Sequence, residues 1–179
     1  MKWSTSPHRP PHLYMDDAWC FVTASTVDKA HILVTDEHLN LWVDTFKELI
    51  LQFEIKLFAW VVLPNHYHLL FMPNNVNELG TFMKCINGST SRKINLLDNR
   101  QGRTVWYSYW DRCMRNEHDF WTCFNYIDYN PVKHGYVDNN PEDWKFSSYR
   151  FYMSGDENNW LNDKLNEFPI SDLFDDDKF

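Results

Sequence analysis

The run Phe58-Ala59-Trp60-Val61-Val62-Leu63-Pro64-Asn65-His66-Tyr67-His68-Leu69-Leu70-Phe71 decides how this chain is read. Two apolar stretches are broken by Pro64-Asn65. Proline fixes φ and donates no hydrogen bond, so the break is a tight turn between two strands, Ile55 to Leu63 and His66 to Met72, close enough to pair as a hairpin. Successive side chains on a strand alternate faces, so His66 and His68 share one face. Imidazoles at alternate positions of an otherwise apolar strand need an explanation. Two neutral imidazoles side by side make a divalent-metal site once a third ligand arrives from elsewhere in the chain.

Working outward, Ala18 to Val27 is β-branched and apolar and reads as a first strand. Thr35-Asp36 is a helix start, and Leu39, Trp42, Phe46 and Leu49 recur at helical spacing to about Gln52. Pro73-Asn74-Asn75 is a turn, and Asn75 or Asn77 caps a helix from about Glu78 to Leu97. Thr104 to Met114 reads as a fourth strand. Asn116 or Glu117 opens a further amphipathic helix through Asn130, stopped by Pro131, with Gly135 at a turn just beyond. The order β-α-β-β-α-β followed by another helix predicts an α+β fold of ferredoxin-like type, an antiparallel sheet with two helices on one face. Residues 1–17 read as an extended lead-in, 18–150 as one folded domain and 151–179 as an acidic tail.

Composition narrows the function. A hydrophobic share of 44% and nine Trp suit a globular core. The formal net charge of -8 looks unpromising for a nucleic-acid binder, but the charge is unevenly spread. From Asp156 onward eight acidic residues face two lysines, so the tail carries -6 and residues 1–155 only -2. Within 84–103, Lys84, Arg92, Lys93, Arg100 and Arg103 outweigh Asp98, giving +4. That cluster is either a solvated helix face or a phosphate-contacting patch. The acidic tail either folds away or competes for the basic groove. Cys20, Cys85, Cys113 and Cys123 form no Cys-x-x-Cys pair, which points to free thiols in a reducing cytoplasm. Met1 to Asp17 is polar and proline-rich, unlike a signal peptide, and no apolar run approaches the roughly 20 residues that span a bilayer.

A second informative segment is Tyr126-Ile127-Asp128-Tyr129-Asn130-Pro131-Val132-Lys133-His134-Gly135. Tyr126 and Asn130, four apart, share one helical face, while Asp128 reads as a solvated helix residue. A third is Pro141-Glu142-Asp143-Trp144-Lys145-Phe146-Ser147-Ser148-Tyr149. With Val62 to Leu70, these segments make the chain resemble the REP-associated tyrosine transposases, close to the IS200-like transposases in the HUH single-strand DNA nuclease superfamily. The resemblance covers roughly residues 18–150.

It implies that His66 and His68 bind a divalent metal, Mg or Mn, that Asn130 completes the metal site, and that Tyr126 is the catalytic tyrosine, on the helix after the ferredoxin-like core. It implies a strand transferase acting through a 5′-phosphotyrosine on single-stranded DNA bearing a hairpin, as in repetitive extragenic palindromes. Lys84, Arg92, Lys93, Arg100, Arg103, Arg112, Arg115 and Lys133 are the candidates for the DNA backbone. A monomer is favoured over a dimer that exchanges its tyrosine helix. The strand Val105 to Asp111 departs from the family pattern and leaves Trp110 and Asp111 without a role; Trp106, Trp110 and Trp121 read as core rather than as base-stacking platforms. His134 stands where the family more often has a small residue. A histidine-triad nucleotide hydrolase is a poor rival, because Leu70 occupies the next alternate position. A DNA-hairpin-binding protein that has lost cleavage is the rival from another class.

Overall fold

The computed structural model describes residues 18–114, 116–153 and 159–170. Strands β1 (Trp19–Thr26), β2 (Lys56–Val62), β3 (His66–Met72) and β4 (Trp106–Met114) form one antiparallel sheet in the order β2-β3-β1-β4. Helix α1 (Asp36–Gln52) links β1 to β2, and α2 (Leu79–Leu97) links β3 to β4. This is the ferredoxin-like arrangement that the sequence predicts. Helix α3 (Glu117–Lys133) follows β4, and α4 (Tyr149–Met153) and α5 (Asn159–Glu167) come after it. The lead-in 1–17, Arg115 and the tail segments 154–158 and 171–179 lie outside the described residues. No described helix is long and apolar enough to cross a membrane.

The sheet separates two cores. Cys20, Val22, Ala24, Tyr67, Leu69 and Phe71 face α1 and α2, packed against Trp42, Phe46, Phe82, Met83 and Ile86. Phe21, Ala59, Val61 and Leu70 face the other way, against Phe124 and Ile127 of α3. Tyr67, between the two histidines in sequence, fixes the register of β3. Its ring lies 4.8 Å from that of Trp42 and 4.9 Å from that of Trp106, and its hydroxyl donates to Asn87 Oδ1 at 2.6 Å. Burying an aromatic ring of this size is worth about 2–3 kcal/mol. A one-residue slip would expel it from that core and put both histidines in its place.

One expectation is corrected. Helix α3 does not stop before Pro131 but runs to Lys133. Pro131 lacks the N–H that would reach the Ile127 carbonyl, yet the final turn closes without it. Gly135 Nα–H donates to the Val132 carbonyl at 3.0 Å, and Tyr136 Nα–H to that of Pro131 at 2.9 Å. This pair of bonds is a Schellman cap, and it needs a left-handed residue, supplied by Gly135 at φ 70°.

The start of α1 is tied to the end of α2. Thr35 Oγ1 accepts from the His38 backbone N–H at 3.3 Å, and His38 Nε2 lies 2.8 Å from Asp98 Oδ1. Arg103 donates to Asp98 Oδ2 at 2.5 Å and, through Nε, to Asn95 Oδ1 at 2.9 Å. Burial pushes the Asp98 carboxyl up, but the hydrogen bonds and charges of His38 and Arg103 outweigh it and hold the group below its usual range. The stability this gives is present above the unfolded carboxylate value of about 4 and is lost as pH falls through the lower folded value. Asp98→Ala is expected to cost about 2 kcal/mol at pH 7, a fall of roughly 4–8 °C in Tm, shrinking toward zero in acid; thermal melts from pH 7 to pH 2 check this.

Candidate active site

The face of β3 turned toward α3 carries His66 and His68, both buried. Each ring is held by its Nδ1. His66 Nδ1 lies 2.7 Å from Asn65 Oδ1, and His68 Nδ1 lies 2.8 Å from Thr23 Oγ1 on β1. With Nδ1–H donating to these oxygens, the lone pair of each imidazole sits on Nε2. His66 Nε2 then faces Asn130 Oδ1 at 3.0 Å, from the last turns of α3. Two electron-rich atoms so placed need a proton or a cation between them.

The donor set fits a divalent ion. Ligands at right angles around an ion, each about 2.1 Å from it, lie about 3.0 Å apart. Asn130 is fully buried, its Nδ2 has no hydrogen-bond partner among the described residues, and its Oδ1 faces His66. Among the described residues no three of His, Cys, Asp and Glu converge on a metal position. The set would therefore be two imidazoles and one amide oxygen.

Tyr126 stands one turn before Asn130. It is only 3 % exposed, its ring 5.2 Å from that of His68 and 6.1 Å from that of Phe21. Its hydroxyl accepts from Lys133 Nζ at 3.2 Å, and the same ammonium lies 4.6 Å from the ring centroid. The continuation of α3 past Pro131 produces this contact, because Lys133 falls two turns after Tyr126 on the same side. The His134 ring lies 4.7 Å from that of His66.

The structure thus gathers His66, His68, Tyr126, Asn130 and Lys133 at one end of α3. It does not gather the remaining basic residues there. Lys84, Arg92 and Lys93 are on α2, across the sheet. Lys84, Arg92 and Arg100 have exposed side chains. Lys93 donates to Thr45 Oγ1 at 2.8 Å and Arg103 is committed to Asp98 and Asn95. Arg112, on β4, is on the face of the histidines and donates to Cys123 Sγ at 3.2 Å. Arg115 lies outside the described residues. Trp106 is core, its Nε1–H donating to Thr90 Oγ1 at 2.8 Å. Sequence reasoning missed Thr23 and Asn65 as the groups that orient the imidazoles. Asn65 immediately precedes His66 and was within reach; Thr23 is 45 residues from His68 and shows only once the strands pair.

The sequence model of the IS200-like transposases matches residues 22–130, more than half of the chain, and the chain belongs to this family. The match spans His66, His68, Tyr126 and Asn130. The chain is 28% identical to a putative REP-associated tyrosine transposase of Haemophilus influenzae Rd over 139 residues, 72% of this chain and 78% of that protein. It is 34% identical to the REP-associated tyrosine transposase of Escherichia coli K12 over 98 residues, 54% of each. A solved structure of a REP-associated tyrosine transposase bound to a REP hairpin superposes with a TM-score of 0.70 at 23% identity, covering 82% of this chain and 85% of that one. That likeness shows the fold.

Asp128 corrects a second expectation. It is not solvated but 2 % exposed, on the buried side of α3, where Ser148 Oγ donates to it at 3.5 Å. Burial pushes its carboxyl well above the usual range, and the weak Ser148 bond only partly opposes this. A raised acid favours the fold below the unfolded value of about 4 and loses that contribution as pH climbs. Asp128→Asn keeps the shape and cannot ionise. It is expected to raise Tm at pH 7 and to leave it unchanged near pH 3, a difference that parallel melts at the two pH values will read.

Proposed function

We propose that this chain is a metal-dependent single-strand DNA endonuclease and strand transferase, acting on hairpins of the REP type through a covalent phosphotyrosine. The observation that carries this reading is the convergence of His66, His68 and Asn130 with Tyr126, whose ring lies 5.2 Å from that of His68. Family membership supports DNA transesterification, and the hairpin held by the structural relative supports the substrate class.

In this reading a divalent ion held by His66, His68 and Asn130 would draw charge from a non-bridging oxygen of the scissile phosphate. The Tyr126 oxygen attacks phosphorus. The new O–P bond replaces the bond to the 3′ oxygen, which leaves as a 3′-hydroxyl carrying the proton that the phenol gave up. The 5′ end stays on the tyrosine with the energy of the phosphodiester retained, so a second 3′-hydroxyl can reverse the step and join strands without ATP. Lys133 directs an ammonium at the attacking oxygen and stabilises charge there as it develops. Thr23 and Asn65 keep the imidazoles in the tautomer that binds a cation.

The test is denaturing electrophoresis of a labelled hairpin oligonucleotide incubated with the protein and Mg²⁺ or Mn²⁺. A covalent adduct is expected that requires the ion and disappears in Tyr126→Phe. Binding without an adduct would instead favour a hairpin-binding module that does not cleave. Lys133→Met, which keeps bulk and removes charge, is expected to slow adduct formation about 10–100-fold with a much smaller change in hairpin affinity; single-turnover kinetics beside anisotropy titrations separate the two.

A further inference from the structure

Helix α3 does not cover its whole side of the sheet. It packs mainly on β2 and β3 and reaches β1 and β4 only through side chains, Phe21 against Tyr126 and Arg112 against Cys123, which leaves Trp110 of β4 half-buried at its edge. Strand register identifies what projects there. Thr23 pairs with His68 on one side and with Trp110 on the other, and Phe21 pairs with Arg112. Trp110, Thr23 and His68 therefore form one row across the same face, with Ser108, exposed, and Arg112, half-buried, on either side of Trp110 along β4. Trp110 is two strand spacings, about 10 Å, from the His68 backbone.

The rings form a continuous aromatic layer. Phe21 stands 5.6 Å from His68, 6.1 Å from Tyr126 and 6.4 Å from Trp110. Phe21 is completely buried, whereas Trp110 is half-buried at the open margin of the layer. A nucleotide whose phosphate reaches the Tyr126 oxygen has α3 on one side, and a strand that leaves on the other side crosses β1 and β4. The first large flat surface on that route is the indole of Trp110, with the Arg112 guanidinium on the same strand face.

We infer that Trp110 is a stacking platform for a nucleobase of the single-stranded segment next to the scissile phosphate. It would position the strand rather than touch the reacting atoms. This rests on the single-strand DNA reading above, and it reverses for Trp110 the reading as core, because the indole is only half-buried. Stacking on an aromatic side chain tolerates any base and is worth about 1–3 kcal/mol, which is about 5–150-fold in affinity.

The experiment uses a hairpin oligonucleotide with an adjoining single-stranded segment, and an abasic site moved one nucleotide at a time through that segment. Affinity is measured by anisotropy on the cleavage-blocked Tyr126→Phe protein with and without Trp110→Ala or Trp110→Phe, and cleavage is measured on the tyrosine-intact proteins. One abasic position is expected to weaken binding 5–150-fold with Trp110 present and to have no effect with Trp110→Ala. Trp110→Phe should restore most of the sensitivity. The inference is overturned if Trp110→Ala weakens intact and abasic oligonucleotides by the same factor, if no abasic position matters, or if the oligonucleotide does not bind. Base-sensitive binding through Trp110 without any adduct would leave the platform standing and remove the strand-transferase reading instead.

Discussion

The register of β3 is the constraint on which everything else depends. Tyr67 is locked among Trp42, Trp106 and Asn87 on one face. His66 and His68 are thereby committed to the other, where they meet β1 and α3. Because side chains alternate along a strand, the aromatic core beneath α1 and α2 and the imidazole pair beneath α3 are two consequences of one pairing. The stability of the first core sets the geometry of the candidate site on the opposite side.

Helix α3 must then be held on that face, and the chain after it supplies the means. The Asn125 side chain, buried next to Tyr126, donates to the Lys164 carbonyl at 2.9 Å and to the Phe168 carbonyl at 2.8 Å. The Lys164 carbonyl also accepts from the Phe168 backbone N–H at 2.9 Å, so Asn125 ties the end of α5 and the residues after it to α3. Tyr152 donates to the Phe58 carbonyl, which ties α4 to β2. Ser148 reaches both the Trp60 backbone N–H, at 3.0 Å, and Asp128. These contacts fix α3 by its outer and under sides, leaving its end, with Tyr126, Asn130 and Lys133, turned to the histidines.

Much of this was legible in the sequence because the signals are local. Alternation placed the two imidazoles on one face, the four-residue spacing placed Tyr126 with Asn130, and Thr35 and Asn116 marked helix starts, whereas Asn75 caps only the single turn Val76–Glu78 that leads into α2. Pro131 misled because a proline costs a helix one bond and some crowding, and a strong Gly135 cap two turns past Tyr126 outweighed it. Asp128 misled because its charge argued for solvent, whereas packing of 149–153 over α3 buried it. Thr23 and Trp110 became readable only with tertiary pairing, since nothing in a lone strand says which neighbour lies across from it; Lys133 was already a candidate for the DNA backbone, and its place beside Tyr126 depended on α3 continuing past Pro131.

The central claim is that two imidazoles and one amide oxygen make a single cation site beside Tyr126. Pulsed EPR of the Mn²⁺-loaded protein reads this directly through the nuclei coupled to the ion. Two imidazole nitrogens are expected in the native protein, one in His68→Ala, and both again in Tyr126→Phe. A spectrum of Mn²⁺ in water, with no coupled nitrogen and no response to His68→Ala, would contradict the account.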